Sequence, residues 1–285
     1  MKNILNKKNN FIGTSIQIIF LLYFWWLLHP LFIGQSVGTL HHSDIPQEYI
    51  QVKDFLVNQQ TFYRVLWIPV PPKYVFYTDI QRSVSAQELL NIYNQKELLN
   101  KFKAKDTEKL LQEANVRYVI IPDDTEKQIY ITDRKYDNSK YNELVKTLSI
   151  IPWLKRLKSF GNVIVFQVPD QKDHFWIDSP KAKVSYKAIS PVEYKVDISN
   201  AKKGDRLVFA EGFDPHWVAK IISSKYKVPS IKYDKLLNSF ILPEGGNYTL
   251  DVYYTPQKWV NIGIWISLGT LVLAIGSLII LRRKT

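Results

Sequence analysis

Two long apolar stretches lie near the ends of the chain, and the hydrophobic positions between them follow the shorter periods of a folded protein. The first stretch, residues 11–34, is interrupted as far as Leu28 only by Thr14, Ser15 and Gln17, and it continues more weakly to Gly34. The second, residues 259–281, is almost uninterrupted. A membrane-spanning helix needs about 20 consecutive apolar residues. The pattern therefore predicts two transmembrane helices that flank a large central region.

The flanking charges predict the orientation of both helices. Each tail is basic and contains no acidic residue: Lys2, Lys7 and Lys8 lie in residues 1–10, and Arg282, Arg283 and Lys284 in residues 282–285. Since basic flanks stay on the inner side of a membrane, both tails are predicted to be cytoplasmic and the central region extracytoplasmic. Aromatic residues lie near the predicted outer ends of both helices, as in an interfacial belt: Tyr23, Trp25, Trp26, Trp259 and Trp265.

The first apolar stretch has an alternative interpretation as a cleaved signal peptide. Ser36 and Gly38 would be the small residues before the cleavage point. A signal peptide has an apolar segment of roughly 7–15 residues, whereas this one is longer and ends in His29 and Pro30. An uncleaved helix is therefore favoured.

The central region divides into two predicted domains. In residues 44–169, helical patterns alternate with β-branched runs at 64–69, 116–122 and 162–168, and Ser85 with Glu88 forms a capping box that predicts a helix through Leu99. This alternation is typical of an α/β domain with a partly parallel sheet.

Residues 174–256 have a different pattern of short alternating segments bounded by turns, which predicts a small β-sandwich. Its predicted strands are 183–188, 193–198, 206–210, 217–222 and 248–254. The predicted fold is thus a membrane-anchored α+β protein in which two transmembrane helices flank an extracytoplasmic α/β domain and a β-sandwich.

Composition narrows this picture mainly by exclusion. The chain has no cysteine, so disulfides and thiol chemistry are absent from it. Its formal net charge is +12, but six basic residues belong to the two tails, and the remainder is not clustered with stacking aromatics. No nucleic-acid partner is therefore expected. The 11 glycines form neither a dinucleotide-binding nor a phosphate-binding loop, so no cofactor is expected.

Four segments resemble the C-terminal region of large bacterial YfhO-type membrane proteins and related GT-C glycosyltransferases. Residues 206–219 are similar to a strand followed by a Pro-x-Trp segment of that region, and residues 247–256, which lead into Trp259, resemble its end. Residues 45–49, with 64–69, resemble the start of the extracytoplasmic part. The resemblance covers nearly everything after Asp44.

The chain departs from that family in its membrane part. Family members carry many membrane helices before this region, and their active site lies in an early outer loop, whereas this chain has one apolar stretch there. The resemblance thus implies an appendage of a sugar-transfer system in the cell envelope that is not catalytic on its own. It also implies a many-span glycosyltransferase and a glycan or lipid-linked sugar as partners beside the lipid bilayer.

Asp44 and Glu48 are the candidate catalytic residues, since a transferase acting on a lipid-linked sugar needs a carboxylate near the membrane surface. Both also belong to a predicted helix start, where acidic residues complement the helix dipole. This structural role is favoured.

Histidines and aspartates form two possible sets of metal ligands, at 41–44 and at Asp173, His174 and Asp178. Neither set has the spacing that brings three or four ligands together, so a solvated linker is favoured and no metal site is expected.

Asp214, His216 and Trp217 are the best binding candidates, because an aromatic ring beside an acid and an imidazole suits the face of a sugar. The competing interpretation, which is favoured, places Trp217 in the core of the sandwich.

Small residues recur along one side of the second predicted membrane helix, at Gly263, Ser267, Thr270, Ala274 and Ser277. Small residues let helices approach closely in lipid, so this side is a predicted packing face for another protein.

The favoured function is an accessory or truncated component of envelope glycan assembly. The alternatives are a surface-anchored module that binds glycan or protein, and an active transferase that uses Asp44 or Glu48.

We expect a reporter that is active only in the cytoplasm to work when fused to either end of the chain, because both basic tails are predicted to be inside. The same reporter inserted at Asn200 should be silent. Activity at Asn200 would contradict the two-helix topology.

Overall fold

The computed structural model describes residues 2–33, 45–122 and 138–284, apart from residues 60, 70, 73, 79, 225 and 235. Asp44 and the predicted metal ligands at 41–44 lie outside the described residues, as do Ser36 and Gly38. The chain begins with helix α1 (Lys2–Phe32). Within it Ser15–His29 is apolar but shorter than a bilayer requires. The first transmembrane helix therefore stays a prediction.

The first half of the chain folds around one five-stranded mixed sheet. Its elements are α2 (Gln47–Val57), β1 (Tyr63–Trp67), β2 (Gln81–Ser85), α3 (Ala86–Leu90), α4 (Gln95–Lys103), α5 (Lys105–Glu113), β3 (Val116–Ile121), α6 (Asn138–Ser149), β4 (Lys155–Phe160) and β5 (Val163–Gln167). The strand order is β2-β1-β3-β5-β4. Strand β1 is parallel to both β2 and β3, while β5 is antiparallel to β3 and β4. The predicted partly parallel sheet is confirmed.

Helices cover both faces of this sheet, which is why β1 is buried along its whole length. Helix α2 packs on one face, where Val52 and Leu56 join Trp67 in a hydrophobic cluster. On the other face Phe102 of α4 and Leu111 of α5 belong to a second cluster.

The helix predicted from Ser85 through Leu99 is two helices. The capping box is present, since the Ser85 hydroxyl accepts the Glu88 N–H and the Glu88 carboxylate accepts the Ser85 N–H. Asn91 then adopts a left-handed conformation with φ 55°, which ends α3. The Asn94 side chain caps α4 by accepting the Glu97 N–H. The prediction of one continuous helix was wrong because Asn91 ends α3 and Asn94 begins α4.

The second half forms two antiparallel sheets. Its strands are β6 (Phe175–Ile177), β7 (Lys183–Ser190), β8 (Glu193–Ala201), β9 (Arg206–Gly212), β10 (Trp217–Ile221), β11 (Lys227–Pro229), β12 (Ile231–Tyr233), β13 (Leu237–Ile241) and β14 (Gly246–Tyr254). The sheet orders are β11-β10-β14-β8-β7 and β12-β13-β9-β6. Val196 and Leu250 of the first sheet share one hydrophobic cluster with Phe209 and Phe240 of the second. Two sheets facing each other across a common core have the arrangement of a β-sandwich.

The outer face of the β12-β13-β9-β6 sheet packs against the first half of the chain. Trp176, Val208 and Tyr233 belong to the same cluster as Phe102 and Leu111. Along β9 the side chains alternate, so Val208 points to this cluster while Phe209 points into the sandwich. The predicted division between residues 169 and 174 thus separates the sheets, but the hydrophobic core continues across it.

The chain ends in helix α7 (Gln257–Lys284), which begins shortly after β14. Among the residues that the structure describes, one segment, Gln257–Ser277, is long and apolar enough to cross a membrane. None of that segment is buried within the protein.

Candidate functional site

A buried network of charged and polar side chains joins the two halves of the chain. Arg64 of β1 forms an ion pair with Glu211 of β9, with 2.8 Å between Nη2 and Oε2. The other carboxylate oxygen, Oε1, lies 3.0 Å from Nε2 of His174, which directly precedes β6. Arg64 also donates to the Ala114 carbonyl at 2.8 Å. The carboxylate is therefore held from both sides by groups that come from different sheets.

Aromatic contacts fix the orientation of the His174 ring. The Phe62 ring stacks on it with a centroid separation of 3.8 Å and an interplanar angle of 13°. Phe209 and Tyr194 of the sandwich contact the same imidazole. His174 is thus completely buried, and its assignment to a solvated linker was wrong, because polar neighbours in the sequence concealed its tertiary packing.

The ionisation of this network follows from its geometry. Burial opposes ionisation of the Glu211 carboxyl, but the Arg64 charge and the hydrogen bond from His174 outweigh it and lower the pKa of Glu211 to about 2. Burial lowers the pKa of His174, and the bond to Glu211 offsets this only in part. Since an ionised carboxylate only accepts hydrogen bonds, a neutral His174 carries its proton on Nε2. Its Nδ1 is buried and has no hydrogen-bond partner among the described residues.

A cleft of about 1050 Å³ lies over this network, between the two halves of the chain. One wall comes from the segment before β1 and from the residues around β2, and the other comes from β7 and the start of β8. The lining includes Phe62, Tyr77, Arg82, Asp173, Tyr186 and Tyr194. Aromatic surface with a few polar groups at the junction of two folded units is typical of a ligand site.

Two tyrosines of the cleft, Tyr186 and Tyr194, carry neutral hydroxyl groups. Burial raises the pKa of Tyr194 to about 12. Burial and the Asp173 charge also raise the pKa of Tyr186. Asp173 accepts the His174 backbone N–H at 2.7 Å and the Tyr186 hydroxyl at 3.4 Å. Neutral tyrosine hydroxyls beside a carboxylate provide both donors and acceptors for a polar ligand.

A second cleft, of about 910 Å³, lies beside the first and reaches the start of α7. Ser190 and Pro191, in the turn between β7 and β8, line both clefts. Lys220, Lys227 and Lys258 line the second. The first cleft is therefore close to the end of the sandwich from which α7 emerges.

The predicted binding residues lie at that end of the sandwich, away from the first cleft's lining. Asp214 accepts from His216 Nδ1 at 2.7 Å and from the Tyr254 hydroxyl at 2.9 Å. These contacts lower the pKa of Asp214, with the His216 backbone N–H as the largest cause. Trp217 is only 8% exposed and packs on Phe209. The structure thus brings the three residues together, with the indole in the core. A binding role for them stays a prediction.

The other predicted site residues lie apart from both clefts. Glu48 is half-buried in the first turn of α2. Its side chain packs so closely against Gly161, in the turn between β4 and β5, that a Cβ atom at Gly161 would lie only 2.6 Å from the Glu48 Cγ. The five small residues of α7, Gly263, Ser267, Thr270, Ala274 and Ser277, are all exposed. Catalysis by Glu48 and packing through α7 stay predictions.

Sequence reasoning missed Arg64, Arg82 and Glu211 as site residues. Arg64 stands within a β-branched run and is 5% exposed. A charged residue on a strand that is otherwise buried requires a partner, and this was the available signal. The position of the partner, on a strand of the other half, has no signature in the sequence.

No model of a known protein family matches the chain, and no curated protein matches it. Solved structures similar to it include two of the arabinofuranosyltransferase AftD from Mycobacteria, with 13% and 14% identity and a TM-score of 0.29 for each. Each match covers 39% of this chain. The matched part is 9% of the AftD chain in one structure and 8% in the other. Another is the C-terminal globular domain of an oligosaccharyltransferase from Archaeoglobus fulgidus, with 14% identity and a TM-score of 0.27, covering 44% of this chain and 99% of that domain.

Both names denote enzymes of glycosyl transfer, and the YfhO-type resemblance stays unconfirmed. With TM-scores below 0.3, these similarities carry no argument about the function of this chain.

Replacement of Glu211 by glutamine should lower the free energy of unfolding at pH 7 by about 3 kcal/mol, because it leaves Arg64 buried without its counter-charge. The folded-state pKa of about 2 lies below the ordinary 4.5, so the stabilisation is complete above pH 4.5 and is lost as the pH falls towards 2. The measurement is denaturant unfolding of the full chain in lipid nanodiscs between pH 2 and 7.

Asp106→Asn is the control, since Asp106 forms an exposed ion pair with Lys101 and its loss should cost less than about 1 kcal/mol. Equal stability of the wild type and Glu211→Gln across the pH range would contradict the role of the network.

Proposed function

We propose that the chain is a membrane-anchored module that binds a carbohydrate outside the cytoplasm, and that it serves as an accessory or truncated component of envelope glycan assembly. The observation that carries this proposal is the first cleft. Its tyrosine rings provide flat apolar surface for the C–H face of a sugar, and their hydroxyls, with Asp173 and Arg82, provide hydrogen bonds for the sugar hydroxyls.

The buried histidine also favours a ligand with hydroxyl groups. His174 Nδ1 is an acceptor that no described residue satisfies, and such a group costs free energy in a folded protein. A hydroxyl that donates to Nδ1 would remove this cost. Since Nδ1 is itself buried, the ligand would have to displace a part of the cleft wall to reach it.

The chemistry of the cleft supports binding rather than catalysis. A general base works best with a pKa near the operating pH, whereas Arg64 and His174 hold Glu211 ionised down to a pKa of about 2. Asp173 is the one carboxylate among the described residues that line the cleft, and it is engaged by His174 and Tyr186. We therefore assign the transfer reaction to a partner, a many-span glycosyltransferase.

The proposed location at the membrane rests on α7. The helix is long and apolar enough to span a bilayer. It starts at Gln257, shortly after the last strand of the sandwich, and contributes Lys258 to the second cleft. With the basic end of the chain inside, the sandwich and the first cleft would face the outer membrane surface. The resemblance of residues 206–219 and 247–256 to the C-terminal region of GT-C and YfhO-type proteins supports the same arrangement.

A second candidate function, binding of a protein segment, is favoured by the position of β7. This strand is the last in its sheet and forms one wall of the first cleft, so its free edge could pair with an extended peptide. Such a peptide would be recognised through its backbone.

Glycan binding is tested with the full chain in lipid nanodiscs on an array of bacterial envelope oligosaccharides. We expect the wild type to bind a subset of them. Tyr77→Ala should weaken binding roughly three- to tenfold, because Tyr77 lines the cleft and is 67% exposed. Tyr93→Ala is the matched control: Tyr93 is 71% exposed and does not line the cleft.

Absence of glycan binding by the wild type would contradict the proposal, as would equal losses in the two tyrosine variants. Binding of extended peptides in place of glycans would favour the second candidate.

A further inference from the structure

Two arginines lie side by side on the face of the mixed sheet that meets the sandwich. Arg64 of β1 and Arg82 of β2 are register partners in the parallel pair, so their side chains leave the same face of the sheet at the same level. Like charges at such neighbouring positions destabilise a sheet unless an anion compensates them. The arrangement therefore requires negative charge close to both guanidinium groups.

The protein supplies that charge for one arginine. Glu211 forms its ion pair with Arg64, and the charge of Arg82 acts on Glu211 only at longer range. The side chain of Arg82 forms no hydrogen bond or ion pair with any residue that the structure describes. His174 is neutral and adds no negative charge. The Arg64, Arg82 and Glu211 side chains thus contain one carboxylate and two guanidinium groups, so these three side chains together carry one excess positive charge.

Arg82 is directed to the first cleft rather than to the interior. It is half-buried and lines the cleft together with His174 and Tyr194. Asp173, also in the lining, forms no ion pair with Arg82 and instead accepts the Tyr186 hydroxyl and the His174 N–H. A guanidinium at the wall of a cleft has the planar set of donors that binds a carboxylate or phosphate through two hydrogen bonds.

We propose that the ligand of the first cleft is an anionic glycan, whose carboxylate or phosphate group binds the guanidinium of Arg82. The inference rests on the proposed carbohydrate binding and defines its chemical class. The aromatic rings of the cleft contact the sugar ring, and the oxyanion completes the charge balance of the Arg64–Arg82–Glu211 cluster. Carboxylates of uronic acids and phosphate substituents share this chemistry.

The test compares three sugars that differ only at carbon 6: glucose, glucuronate and glucose 6-phosphate. Their affinities for the full chain in nanodiscs of neutral lipid are measured by ligand-observed NMR titration. We expect at least one charged sugar to bind about tenfold more tightly than glucose, because a hydrogen-bonded charge pair contributes about that factor. The preferred sugar distinguishes a carboxylate ligand from a phosphate ligand.

Arg82→Gln should bring the ratio of charged-sugar to glucose affinity close to one, and Arg82→Lys should restore part of it. Arg156→Gln, at an exposed position of β4, should keep the wild-type ratio. Thermal unfolding of each variant shows whether it is folded.

Equal affinity of the wild type for all three sugars would overturn this inference and leave carbohydrate binding intact. A preference for charged sugars that survives in Arg82→Gln would overturn the assignment to Arg82. Failure of every sugar to bind the wild type would overturn the inference, and the glycan array would then show whether carbohydrate binding fails with it.

Discussion

The ion pair between Arg64 and Glu211 is the constraint on which the arrangement of the molecule depends. The buried Arg64 guanidinium would cost several kcal/mol without its counter-charge, so the fold favours the position of β9 in which Glu211 reaches the guanidinium on β1. Hydrophobic contacts of Trp176, Val208 and Tyr233 also join the two halves, but they are less directional than the ion pair. The ion pair and the hydrogen bond from His174 therefore determine where β9 lies relative to β1.

The same constraint produces the cleft. With Glu211 held at β1, strand β7 of the sandwich stands opposite Thr78 and Arg82, and the space between them is lined by residues from both halves. Glu211 forms its ion pair with Arg64, while Arg82 lines the cleft, where its guanidinium can contact a ligand. The network that stabilises the fold thus also influences the chemistry of the cleft, and the low pKa of Glu211 makes this carboxylate unsuited to acid–base catalysis.

Many local features and the partly parallel sheet were predicted from the sequence, whereas the side-chain contacts of the site were not. The Ser85–Glu88 capping box and the β-branched strands β1, β3 and β5 depend on neighbouring residues and are present. Strands β6, β11 and β12 were missed because three residues are too few to show an alternation. The partners of Arg64 and the burial of His174 come from tertiary packing, so the site could not be found, whereas the polar trio at residues 214–217 was visible because its members are adjacent.

If the Arg64–Glu211 ion pair holds the two halves in one arrangement, the distance across the cleft must be fixed. A distance measurement across the cleft tests this most directly. The chain has no cysteine, so spin labels can be attached to cysteines introduced at Tyr77 and Ile189, both exposed at the cleft, with a pair at Ile189 and Ile222 as the control within the sandwich. Double electron–electron resonance on the full chain in nanodiscs should give one narrow distance distribution across the cleft, which broadens in Glu211→Gln while the control stays narrow. A broad distribution across the cleft in the chain that retains Glu211 would show that the halves move independently, and would contradict the account.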